Sequence, residues 1–348
     1  MIGLVVSVFV MIAQSTPINQ VKVLASHNSY KCLPEDGVIR FLQRLQFLLP
    51  QGLDPNEMDY GHVDLEEQLD SFNIRGLELD VYADPTGGVF SKRRLPFFIW
   101  GPKQNSNLEN LDLPGIKILH IKDVDYQSNV NTWAEAMHRL KKWSEDHKEH
   151  SVVFVNVEIK TESPGGSSQL LRCLGFRAAP IFDRSALVEL SETASKVMGN
   201  HLYSPKEMKG SYFCLKDRVG KMGWPTTEDT KGKFIFILEG LSEDLKSEVL
   251  ASDLNFPFFY YGEEAHPNVL FVLKNECKGH ELEIQQCVQS GYMVRTRADA
   301  GTCESRTNDW TTFQSAIKSG AQIISTDYYL PDLRWSKYCV SSILSNDE

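Results

Sequence analysis

Eight apolar, β-branched runs punctuate the chain, at residues 21–25, 76–82, 116–121, 152–159, 233–239, 269–273, 292–297 and 322–326. They are nearly continuous in hydrophobicity, as parallel strands covered on both faces are, and lack the alternation of a half-exposed sheet. Between several of them the apolar spacing is helical. Val38, Ile39, Phe41, Leu42, Leu45, Leu48 and Leu49 share one face that ends at Pro50, and Val130, Trp133, Met137, Leu140 and Trp143 recur every three or four residues. Asp64 is placed to cap a helix running through Phe72, and the stripe of Trp310, Phe313, Ala316 and Ile317 is closed by Gly320. Strands and helices alternating in this way predict an α/β fold, a single (β/α)8 TIM-type barrel, irregular around 84–115 and 200–230.

Four of the apolar runs end in polar residues: Ser26-His27-Asn28-Ser29-Tyr30, Arg75-Gly76-Leu77-Glu78-Leu79-Asp80, Leu119-His120-Ile121 and Val157-Glu158-Ile159-Lys160. A parallel barrel collects its chemistry where strands meet the loops that follow them. A single histidine at such a point is more often a packing residue, and only the set together points to chemistry. Glu78 and Asp80 fall on one face of one strand by its period of two, and two carboxylates side by side repel unless a cation or proton separates them. Glu158 and Lys160 repeat the arrangement. Oxygen ligands together with two imidazoles suit a hard cation and proton transfer at a phosphate ester.

The 348 residues, 42% hydrophobic and 24% charged, show no internal repeat and no linker tract, which predicts one domain over 16–348. A net charge of −10 with no basic stripe excludes nucleic acid as a partner and disfavours purely electrostatic attachment to an anionic membrane. Lipid contact then falls to apolar loops or to local basic clusters such as Lys92-Arg93-Arg94-Leu95-Pro96-Phe97-Phe98. Residues 2–13 are uncharged and apolar, too short to span a bilayer, and lead into Ala13-Gln14-Ser15. This predicts a signal peptide over 1–15, without the usual basic start, and a secreted, monomeric protein with no transmembrane segment. Seven cysteines without a Cys-x-x-Cys pair argue against structural zinc, and an oxidising compartment allows up to three disulfides, with Cys277 and Cys287 the first candidates for a pair.

From about Val21 to Tyr328 these motifs, with Leu-His-Ile-Lys-Asp-Val-Asp-Tyr, Val-Arg-Thr-Arg-Ala-Asp and Ser-Thr-Asp-Tyr, make the chain resemble the calcium-dependent phosphatidylinositol-specific phospholipase C family, in its compact secreted form. The resemblance implies Ca2+ as cofactor, held by Asn28, Glu78, Asp80 and Glu158. It implies that His27 stabilises the phosphoryl group and His120 acts as general acid, that Lys160 and one of Arg295 or Arg297 hold phosphate or ring hydroxyls, and that the partner is a phospholipid at a membrane surface. The two arginines share a strand face, so alternation does not choose between them; Arg297 lies nearer the C-terminal mouth. The general base stays open between His27 and a carboxylate such as Glu78. Glycerophosphodiester phosphodiesterases and phospholipase D-like enzymes use a similar set on this barrel; the glycerophosphodiesterases usually have arginine after the first histidine, where Asn28 stands here. A non-catalytic head-group binder would normally have lost a histidine or a ligand, and none is lost.

Overall fold

A computed structural model describes residues 15–35, 37–48, 54–100 and 109–340. The expected leader lies outside them except for Ser15, as do Leu49 and Pro50. Among the described residues the strands are β1 (Val23–Ser26), β2 (Gly76–Tyr82), β3 (Lys117–Ile118), β4 (Val153–Ile159), β5 (Phe234–Glu239), β6 (Phe259–Tyr260), β7 (Phe271–Leu273), β8 (Met293–Arg297) and β9 (Ile323–Thr326). Eight of them pair in parallel in the order β6-β5-β4-β2-β1-β9-β8-β7. A single parallel bridge from Tyr261 to Phe271 brings the two ends together, so the barrel is nearly closed.

The third expected strand, 116–121, is not a barrel stave. Only Lys117–Ile118 is extended, and it runs antiparallel along Tyr82 and Val81 at the end of β2. β2 and β4 pair directly over six residues, from Gly76–Phe154 to Val81–Ile159, which leaves no gap for another strand. The eighth stave is β6 instead. It escaped the pattern because only two residues of the short aromatic run 258–261 enter the ladder and Pro257 immediately precedes the run.

The expected helices form at Val38–Arg44, Leu65–Ser71, Trp133–Asp146 and Thr311–Ser319. Thr132 caps the third by accepting from Glu135 N–H, and Gly320 ends the fourth in the left-handed conformation. Period-two alternation divides each strand between two cores. Val153, Val155 and Val157 face out onto Leu140 and Leu187 of the helical layer, while Phe154, Ile235, Ile237, Phe271 and Met293 fill the lower barrel. Gly76 is required where β1 and β2 meet, because a Cβ there would lie 2.4 Å from that of Ala25. Further along the same inward faces the residues become polar, and this change from apolar floor to polar mouth positions the site.

Candidate active site

Asp80, Glu158 and Glu239 are register partners across β2, β4 and β5, forming a row of carboxylates at the C-terminal ends of three adjacent strands. One step below, Glu78 pairs with Asn156. The Asn156 amide donates to Glu78 Oε1 (2.9 Å) and Glu239 Oε1 (2.5 Å), and Arg295 reaches Glu78 Oε2 at 2.5 Å. Asn28 adopts the left-handed conformation (φ 47°), which aims its backbone N–H at Glu78 Oε2 (3.2 Å), and its side-chain oxygen accepts from Tyr30. Asparagine is among the residues that tolerate this conformation best.

Asp80 is fully buried, and neither of its oxygens accepts a hydrogen bond; its nearest counter-charge is Lys160 Nζ at 3.3 Å, which also bonds Glu158 at 2.8 Å. Glu78, Glu158 and Glu239 each bring a carboxylate oxygen within 4.8 Å of the others. Four carboxylates thus face two contacting cations, Arg295 and Lys160, an excess of two negative charges when all are ionised. Burial lifts the Asp80 carboxyl well above its usual range despite Lys160, and lifts Glu239 to about 7 despite Arg295. Buried oxygens without donors and a charge deficit of two fit a divalent, oxygen-seeking cation.

Both histidines stand on buried carboxylates. His27, at the end of β1, places Nδ1 2.7 Å from Asp327 and 3.1 Å from the Tyr60 hydroxyl. Arg297 bridges the pair, 3.2 Å from His27 Nδ1 and 3.1 Å from Asp327 Oδ2. Burial and then the Arg297 guanidinium hold His27 well below its ordinary value, so the ring is neutral. His120 follows β3, where a tight turn at Asp123 (φ 68°) brings Asp125 back beneath it, 2.8 Å from Nδ1. Asp125 also faces Lys31 at 3.3 Å; burial would raise its carboxyl, but Lys31 and His120 outweigh burial and hold it below the usual range. The Tyr82 hydroxyl donates to the His120 carbonyl and fixes the loop from below.

His62 supports His27 from behind, with Nε2 2.7 Å from the His27 carbonyl and its ring stacked on Tyr329. Burial pushes this imidazole down to about 4, against the pull of Asp327. A base with a depressed folded value contributes stability that is present above its unfolded value of about 6.5 and is lost as pH falls toward the folded one. The unfolding free energy of the native chain is therefore expected to fall from pH 6.5 to 4 by up to about 2–3 kcal/mol more than that of His62→Gln. Parallel denaturation curves for the two would refute this.

The nine residues expected from the sequence lie at one mouth, in different settings. Arg295 is buried and committed to Glu78, Ser325 and Asn275, whereas Arg297, 17% exposed, lies beside His27. Lys160 occupies the acidic row. Sequence reasoning missed Glu239, although it ends an apolar run as Glu158 does. It also missed Asp125 and Asp327, which lie inside quoted motifs but gave no signal of which histidine they would serve. The expected Cys277–Cys287 pair is not formed: Cys277 Sγ bonds the carbonyls of Arg297 and Thr312, and Cys287 Sγ bonds Glu264.

Residues 16–346 match the family model described as phosphoinositide phospholipase C, Ca2+-dependent. Among solved structures the chain is similar to a calcium-dependent phosphoinositol-specific phospholipase C from Pseudomonas sp. (TM-score 0.55, 15% identity, 94% of this chain and 93% of that one). It is also similar to a Ca2+-dependent phosphatidylinositol-specific phospholipase C from Streptomyces antibioticus (TM-score 0.51, 14% identity, 90% and 96%). At these identities the likeness is one of fold. No curated protein matches the sequence.

Proposed function

The chain belongs to the calcium-dependent phosphoinositide phospholipase C family, a family of phosphodiester-cleaving enzymes, and we propose that the paired histidines and acidic row cleave phosphatidylinositol through its own 2-hydroxyl. In this reading the inositol oxygen attacks phosphorus, the bond to the glyceride oxygen breaks, and diacylglycerol and a cyclic inositol phosphate leave. His27 Nε2 takes the hydroxyl proton, and His120 Nε2 gives a proton to the departing oxygen. Glu78 suits the role of base less well, because both of its oxygens already accept hydrogen bonds. A neutral His27 accepts a proton more readily than it stabilises an anion, which shifts it from the role the resemblance implies. Arg297 and Lys160 meet the phosphate charge.

Calcium would be held by Asn28, Glu78, Asp80 and Glu158, with Glu239 adjoining, and it would supply a Lewis acid that makes the hydroxyl more acidic and neutralises a phosphoryl oxygen. The observation that carries the reading is the meeting of two carboxylate-held histidines with an acidic row short of two positive charges. Among the described residues no helix is long and apolar enough to cross a membrane. Export through the leader at 1–15 and action on lipid from outside the bilayer belong to the same proposal.

Phosphatidylinositol incubated with calcium should yield cyclic inositol phosphate, and chelator should abolish it; glycerol phosphate or a free alcohol instead would overturn the reading. Asp80→Asn should weaken calcium binding at least tenfold by calorimetry, since site affinity follows ligand charge. An unchanged titration would remove Asp80 from the ligand set.

A further inference from the structure

Asp327, the buried partner of His27, stands where the hydrogen-bond ladder of the barrel runs out. Past the ends of β8 and β1 the last rungs are the Ala298 N–H on the Ser325 carbonyl (2.8 Å) and the His27 N–H on the Thr326 carbonyl (3.0 Å). The Asp327 N–H is met by a side chain instead, Asp299 Oδ1 at 2.7 Å. The other oxygen of Asp299 accepts from Thr326 Oγ1, which itself accepts from the Tyr328 N–H at 2.8 Å. One carboxylate thus ties down residues 326, 327 and 328, and with them the Asp327 carboxylate 2.7 Å from His27 Nδ1.

A second hold comes from further along the chain. Tyr338 is fully buried, tilted on Trp310 at 4.9 Å and edge-on to Tyr328, and its hydroxyl reaches both Asp299 Oδ2 and the Ala298 carbonyl at 3.1 Å. The Val340 N–H donates to the Tyr328 carbonyl at 2.9 Å and pins this segment against the end of β9.

A neutral amide could supply the acceptor that the Asp327 N–H needs, so the charge of Asp299 calls for a separate reason. Burial and then the facing Asp327 lift its carboxyl to about 7, against the pull of the Asp327 N–H, Thr326 and Arg297. A buried carboxylate held in this way costs stability once it is ionised. What it supplies is balance. With a proton on His27 the pocket holds two cations, His27 and Arg297, and the Arg297 guanidinium is drawn to Asp327 and to Asp299 alike. One carboxylate leaves those two cations in excess, whereas two match them before the proton arrives.

We propose that Asp299, braced by Tyr338, is a positioning residue for cleavage: it fixes Asp327 on His27 and adds the second negative charge that offsets Arg297 when His27 takes the substrate proton. The proposal rests on the reading of His27 as the base.

The test is a double-mutant cycle on phosphatidylinositol in saturating calcium. Asp299→Asn keeps the shape and removes the charge, and it should lower kcat about ten- to a hundredfold, the usual cost of losing a group that orients another. KM should stay within about twofold, because Asp299 is fully buried behind Asp327. The unfolding midpoint in chelator at about pH 8 should be no lower than that of the native chain, since a costly buried charge has gone. In an Asp327→Asn background the same change should cost less than about threefold, because the group it acts through is already lost. Tyr338→Phe, which keeps the ring in its contacts, should lower kcat about fivefold by the same route. Equal factors in the two backgrounds, an unchanged kcat, or a loss that takes the form of a raised KM and a lowered midpoint would overturn the proposal. Should Asp299→Asn not fold, Tyr338→Phe decides by the same cycle. A native enzyme that forms no cyclic inositol phosphate and releases glycerol phosphate would instead overturn the catalytic reading, and the cycle followed by glycerol phosphate release would still decide Asp299.

Discussion

His120→Ala should slow cleavage of phosphatidylinositol by roughly two to four orders of magnitude, the usual worth of a positioned general acid. The fold should survive, because the carboxylate left behind is not stranded: Asp125 keeps Lys31 at 3.3 Å, and Lys31 is itself anchored on the Met58 and Tyr60 carbonyls. The substrate dependence of the loss is the sharper readout. A diacylglycerol alkoxide cannot leave without a proton, whereas an aryl leaving group can, so an aryl inositol phosphate should recover most of the lost rate in His120→Ala. Asp125→Asn should show a smaller loss of the same kind, since it removes the group that orients the ring. A uniform loss on both substrates would mean that His120 binds phosphate and donates no proton to the departing oxygen.

The site was legible where chemistry follows local periodicity. Glu78 with Asp80, and Glu158 with Lys160, share strand faces because side chains alternate, and their apolar neighbours show that those faces belong to buried strands. What depends on the closure of the sheet was not legible. Arg295 and Arg297 stand on one face by the same rule, yet a single step along β8 sends the first into a buried pair with Glu78 and the second to the rim beside His27. No local pattern separates them, since their partners lie on β2 and at the end of β9. The misplaced third strand has a similar origin. Residues 116–121 are apolar enough for a stave, but the direct β2–β4 ladder excludes them, and their role is to carry His120 over the mouth. Glu239 was hidden because the acidic row exists only once β4 and β5 are in register.

Arg295→Met should destabilise the chelated protein by about 3–5 kcal/mol, read as a clear drop in midpoint on thermal or urea unfolding. Arg295 and Glu78 are both almost fully buried and 2.5 Å apart, and removing one leaves the other as an uncompensated charge beside Asp80, Glu158 and Glu239. A methionine of similar length fills the space, so the loss reports charge and not a cavity. Removing both members, as in Glu78→Gln with Arg295→Met, should therefore cost less than the single change. Calcium gives a second, independent readout. If Glu78 belongs to the cation site, saturating calcium supplies the missing positive charge and should narrow the gap between Arg295→Met and the native protein. The double variant, lacking the carboxylate, should gain less from calcium than either. A gap of equal size in calcium and in chelator would place Glu78 outside the ligand set and leave it as the structural partner of Arg295 alone.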